Sequence, residues 1–139
     1  MKSDKLVKDS LIEYYGLHGT DCIFSVKPLA KPRMTQRDKW ACRPCVVRYW
    51  EFKDELTALA DEFKFTLPDQ FLITYNIPFP KSYSKKKKDS LRGKPHKMKP
   101  DIDNLTKAIL DVFMTEDSSV WSYWSRKFWA DEPSIVITA

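Results

Sequence analysis

The sequence predicts a small single α+β domain: a mixed β-sheet with two main helices packed on it, in the order β-α-β-α-β-β. Three observations predict it. The chain has 139 residues and 42% apolar content, enough for one core and too apolar for general disorder. Two stretches repeat apolar residues every three or four positions, the mark of a helix with one buried face. Four short runs rich in β-branched and aromatic residues, bounded by Pro, Gly or charged clusters, have the character of strands.

The elements follow in order. Leu6–Tyr15 predicts a short amphipathic helix stopped by Gly16 and Gly19. "CIFSV" at 22–26 is the first strand. Lys27–Cys45 holds three prolines and six Lys/Arg and predicts a basic arm. Pro44 suits a helix start, and Tyr49, Phe52, Leu56, Leu59 and Phe63 form a helical stripe over Val46–Phe63. "QFLITYNIPFP" (70–80) alternates as a strand and is closed by Pro78 and Pro80. A second helix, Ile102–Phe113, buries Ile102, Leu105, Ile109 and Val112. The last strands are "VWSYWSRKFWA" (120–130) and "SIVITA" (134–139), with "DEP" as the turn between them.

The net charge is +5, and it is local. Lys81–Lys99 holds nine Lys/Arg against Asp89 alone, a net of +8, so the rest of the chain is slightly acidic. This segment is read as a basic loop, flexible in the free protein and ordered on phosphate. Lys31, Arg33, Arg37, Arg43 and Arg48 offer a second basic surface. The N-terminus is charged and mixed, no apolar run reaches the ~20 residues of a membrane span, and Cys22, Cys42 and Cys45 are odd in number. The expectation is a soluble, cytoplasmic protein with reduced thiols. Cys42 and Cys45 have half-site spacing, but no second Cys pair exists to close a zinc site.

Chemistry concentrates at "KPDIDNLTKAILD" (99–111). Pro100 favours a helix start, which puts Asp101 at the N-cap or first turn, beside the positive end of the helix dipole. Asp103, Lys107 and Asp111 fall within about 80° on one helix face. Ordinary i,i+4 pairing is the bland account. The alternative is a cluster of hard oxygen ligands, joined by Glu116 and Asp117, that suits Mg²⁺ or Mn²⁺. A basic surface beside it suits a phosphodiester substrate.

The same residues resemble the Asp-x-Asp-Asn-Leu-x-Lys motif of the RusA-like Holliday junction resolvases, including the Asp four residues after the Lys. "EDSSV" followed by Lys127 is similar to that family's paired acids, Val and downstream Lys. "KPLAKPRM" and "SYSKKKKDSLRGKPHKMKPD" are similar to its basic segments. The stretch from Asp111 to Glu116 is shorter than the family pattern and lacks its glycine turn. The resemblance implies an endonuclease domain over 21–139 preceded by an N-terminal extension, 1–20. It implies a homodimer that resolves Holliday junctions by paired symmetric nicks during recombination and repair, with Mg²⁺ or Mn²⁺ as cofactor.

Carried over by position, Asp101, Asp103 and Asp117 are the catalytic metal ligands and Lys107 the essential lysine. Glu116 is the alternative third acid, and Asn104 and Asp111 have supporting roles. DNA contacts fall to Lys31, Arg33, Lys85, Lys86, Lys87, Lys88, Lys94, Lys99 and Lys127. Trp40 and Tyr83 are candidate base-stacking platforms, and His96 is expected at the solvent-exposed surface. The aromatic cluster of 121–129 is read as a half-buried sheet with one face left exposed. Rival readings are a basic junction-binding protein without turnover, and the same chemistry on forks or flaps.

Overall fold

A computed structural model describes residues 2–32, 44–113 and 119–139. Arg33, Arg37, Trp40, Cys42, Arg43, Glu116 and Asp117 lie outside the described residues. The elements are α1 (Lys2–Tyr15), β1 (Asp21–Phe24), α2 (Pro44–Phe63), β2 (Gln70–Pro78), α3 (Lys85–Leu91), α4 (Ile102–Phe113), β3 (Ser122–Ala130) and β4 (Ser134–Thr138). Among the described residues no helix is long and apolar enough to cross a membrane.

The four strands form one mixed sheet in the order β1-β4-β2-β3. β4 pairs antiparallel with β1 and β2, and β2 pairs parallel with β3 over nine residue pairs, from Gln70↔Ser122 to Pro78↔Ala130. The parallel pair requires a long crossover, and that crossover carries α3 and α4. The "DEP" stretch does not join neighbours: β3 and β4 lie on opposite sides of β2.

The periodicities explain the core. β2 is central, and Phe71, Ile73, Tyr75 and Ile77 line one of its faces by alternation. α2 turns Val46, Tyr49, Phe52, Leu56 and Ala60 inward, and α4 buries Leu105, Thr106, Ala108 and Ile109. Residues of both helices join Phe71, Ile73, Tyr75, Ile77, Ile135, Ile137 and Phe24 in one hydrophobic cluster. Leu59 is only partly buried and Phe63 is exposed, yet the Phe63 ring lies 5.8 Å from that of Phe24. Thr106 is satisfied in the core by the Tyr75 hydroxyl at 2.8 Å. α1 begins earlier than its apolar pattern suggests and stops at Gly16, whose positive φ lets Leu17 N–H donate to Ile12 C=O (2.9 Å). Its Lys8 pairs with Asp21 of β1 at 2.8 Å.

The lysine-rich segment is structured, which corrects its reading as a loop. Ser84 caps α3 by accepting the Lys87 N–H (3.2 Å). Arg92 then grips Asp131 through two nitrogens, at 2.6 and 2.9 Å, and also binds Asp89 at 2.7 Å. Beyond it, residues 93–96 run antiparallel along the outer edge of β3. Gly93 N–H donates to Trp129 C=O, Trp129 N–H to Lys94 C=O, and His96 N–H to Lys127 C=O, at 2.9–3.0 Å. The Phe79, Tyr83 and His96 rings pack around Trp129. No residue of α3 is buried, so its lysines stay in solvent although their backbone is ordered.

Candidate active site

The site is built where this edge segment turns into α4. Asp101 C=O accepts the Leu105 N–H (3.1 Å), so Asp101 is the capping residue of the helix and Asp103 lies in its first turn. Both carboxylates are exposed and sit at the positive end of the helix dipole. One turn on, the Lys107 ammonium is 3.9 Å from the Asp103 carboxylate, with both side chains about two-thirds exposed. These two groups are held by helix geometry and little else. An exposed pair of this kind contributes a few tenths of a kcal/mol to stability, so folding alone gives little reason for it.

Asp101 and Asp103 line an open cleft with His96, Lys97, Met98, Lys99 and Lys127. Lys127 reaches in from β3, and its ammonium donates to the carbonyls of Met98 and Pro100, both at 2.7 Å. Burial pulls its pKa down while the Asp101 charge opposes that shift. His96 is buried rather than exposed, which corrects the expectation for it. Its ring centroid lies 4.2 Å from that of Trp129, and burial followed by the Lys127 charge lowers its pKa.

On the other flank of α4 the segment after β1 runs alongside, with Lys31 N–H donating to Asn104 C=O (3.2 Å). The Lys31 ammonium lies 3.4 Å from Asp111. Asp111 is also the acceptor for the Tyr49 hydroxyl (2.6 Å) and the partner of Lys53 (3.1 Å), so it ties α4 to α2. Burial alone would push the Asp111 carboxyl up. The Tyr49 and Lys53 hydrogen bonds, with the Lys53 and Lys31 charges, outweigh it and hold the group below the usual carboxylate range. A lowered folded-state pKa stabilises the fold above about pH 4 and loses that contribution as the pH falls through the lowered value. Asp111→Asn is therefore expected to cost about 1 kcal/mol at neutral pH. The difference from wild type should shrink towards pH 3, read by urea unfolding at both pH values.

The structure thus brings together Asp101, Asp103, Lys107, Lys99 and Lys127. Lys85, Lys86, Lys87, Lys88 and Lys94 lie on α3 and the edge segment, and Lys87 stacks over the Tyr83 ring at 3.9 Å. Tyr83 is half-buried against Phe79 and Trp129, whereas Trp121, Tyr123 and Trp124 are exposed. The anchoring of Met98 and Pro100 by Lys127 carries no local sequence signal.

Among the described residues no three metal-binding side chains converge. Among the described residues, Asp101 and Asp103 are the two carboxylates that line the cleft. Two carboxylates fit Mg²⁺ or Mn²⁺, since Mg²⁺ is commonly held by one or two carboxylates, waters and substrate phosphate.

The family model described as endodeoxyribonuclease RusA matches residues 24–139, which include the whole cleft and both basic segments. No curated protein matches the chain.

Proposed function

The chain belongs to the RusA endodeoxyribonuclease family, whose activity is Holliday junction resolution, and from that premise we propose a metal-dependent resolvase centred on Asp101 and Asp103. The observation that carries this reading is the pair of exposed carboxylates at the start of α4, with Lys107 at 3.9 Å from Asp103 and a lysine-rich surface leading into the cleft. Asp101 and Asp103 would hold Mg²⁺ or Mn²⁺, with Asp117 as the third acid. The bound cation supplies Lewis-acid activation and neutralises phosphate charge there. Lys107 stands ready to balance charge developing on the scissile phosphate. Asp111 acts at a distance, by fixing α4 against α2.

The substrate is branched DNA, bound through its backbone by Lys85, Lys86, Lys87, Lys88, Lys94 and Lys99, with Lys31 and Arg33 on the second basic segment. Two copies related by a two-fold axis match the paired incision sites of a four-way junction. The binding half of this proposal has its own test. Replacing Lys85, Lys86, Lys87 and Lys88 together by Ala should leave the fold intact, because α3 buries no side chain. The slope of log K against log salt should become shallower by about 0.9 for each phosphate that the variant no longer neutralises, measured by fluorescence anisotropy on a labelled junction in EDTA. An unchanged slope would remove α3 from the DNA-binding surface.

A further inference from the structure

Lys127 fastens the chain leading to Asp101 at three points. Its carbonyl accepts the His96 N–H at 3.0 Å, and its ammonium donates to the carbonyls of Met98 and Pro100, each at 2.7 Å. Alternate residues from 96 to 100 are thus held by one side chain and its own backbone, and the next residue is the capping Asp101. Two of the three ammonium protons are engaged by carbonyls. The side chain comes from β3, paired to β2 along its whole length, so the anchor is rigid. By contrast, Asp101 and Asp103 are exposed, and their placement among the described residues rests on the helix start itself and the Lys107 pair.

We infer that Lys127 is a positioning residue: its ammonium fixes the backbone ahead of Asp101 so that Asp101 and Asp103 are held ready for one cation, and phosphate binding is not its task. This inference rests on the reading of those carboxylates as metal ligands. Groups that orient metal ligands change metal affinity by about 10–100-fold when removed. Arg is no substitute, because a planar guanidinium does not present its donors from one compact centre as an ammonium does.

The test uses the full chain with Lys127→Met, Lys127→Arg and Asp103→Asn. Mn²⁺ binding without DNA is followed by electron paramagnetic resonance, and junction binding in EDTA by anisotropy over a salt series. The expected result is Mn²⁺ affinity weakened by about 10–100-fold in both Lys127 variants, abolished binding in Asp103→Asn, and a wild-type salt slope for Lys127→Met. Wild-type Mn²⁺ affinity in the Lys127 variants, with a salt slope reduced by about 0.9 in Lys127→Met, would overturn the inference and make Lys127 a phosphate contact. Should Met at 127 unfold the chain in a thermal melt, Lys127→Arg decides alone: retained Mn²⁺ affinity rejects positioning, and weakened affinity supports it. If wild type itself binds no Mn²⁺, or Asp103→Asn binds it normally, the metal-site reading fails first and takes this inference with it.

Discussion

Asp103→Asn is expected to slow four-way junction cleavage by about a thousandfold while leaving junction binding intact or slightly tighter. The rate loss corresponds to several kcal/mol of transition-state stabilisation removed with the cation. Binding survives because the substitution deletes a negative charge from a surface that receives a polyanion. Stability should change little, since Asp103 is exposed and its ion pair with Lys107 spans 3.9 Å in solvent. Cleavage kinetics, anisotropy and a thermal melt of the same preparation separate these effects. Equal loss of binding and cleavage would instead place Asp103 among the DNA contacts.

Ile109→Ala is expected to destabilise the protein by about 2–5 kcal/mol. Ile109 is fully buried and lies on the face of α4 that packs into the core with Leu105 and Ala108. The transfer energy lost is compounded by a cavity that helix and sheet, each fixed by other contacts, cannot readily close. The melting temperature should fall by roughly 10 °C, and urea unfolding should show a lower midpoint at an unchanged slope. Leu110→Ala, on a partly buried position of the same helix, should cost clearly less.

Both expectations rest on α4, the element most legible in the sequence. Leu105 and Ile109 sit at helical spacing, Asp103 and Lys107 follow from the same geometry on the opposite side, and Asp101 follows from the helix start that Pro100 favours. The alternation of Phe71, Ile73 and Tyr75 likewise marks β2, whose side chains meet the helices as a period of two requires. What is illegible is non-local or lacks an apolar pattern. Four consecutive lysines have no hydrophobic period, so α3 escapes a reading based on periodicity, although Ser84 offers a capping signal. The pairing of residues 93–96 with β3 depends on contacts more than thirty residues apart. So does the insertion of β2 between β3 and β4, which makes "DEP" look like a hairpin turn when it is a crossover. His96 is misplaced for the same reason: its burial comes from Trp129, and the sequence around His96 does not reveal that this segment pairs with the strand carrying that ring. Lys127 resembles any basic residue of an exposed strand until its two carbonyl partners are seen.

The most direct test of the central claim is nicking of a labelled synthetic four-way junction by the wild-type chain, with linear duplex and fork controls, in Mg²⁺, in Mn²⁺ and in EDTA. The account predicts paired nicks at symmetry-related positions of the junction in either cation, none in EDTA, and little cutting of linear duplex. Tight junction binding with no cleavage in either cation would contradict it, and would make the carboxylates at the start of α4 part of a binding protein rather than of a nuclease.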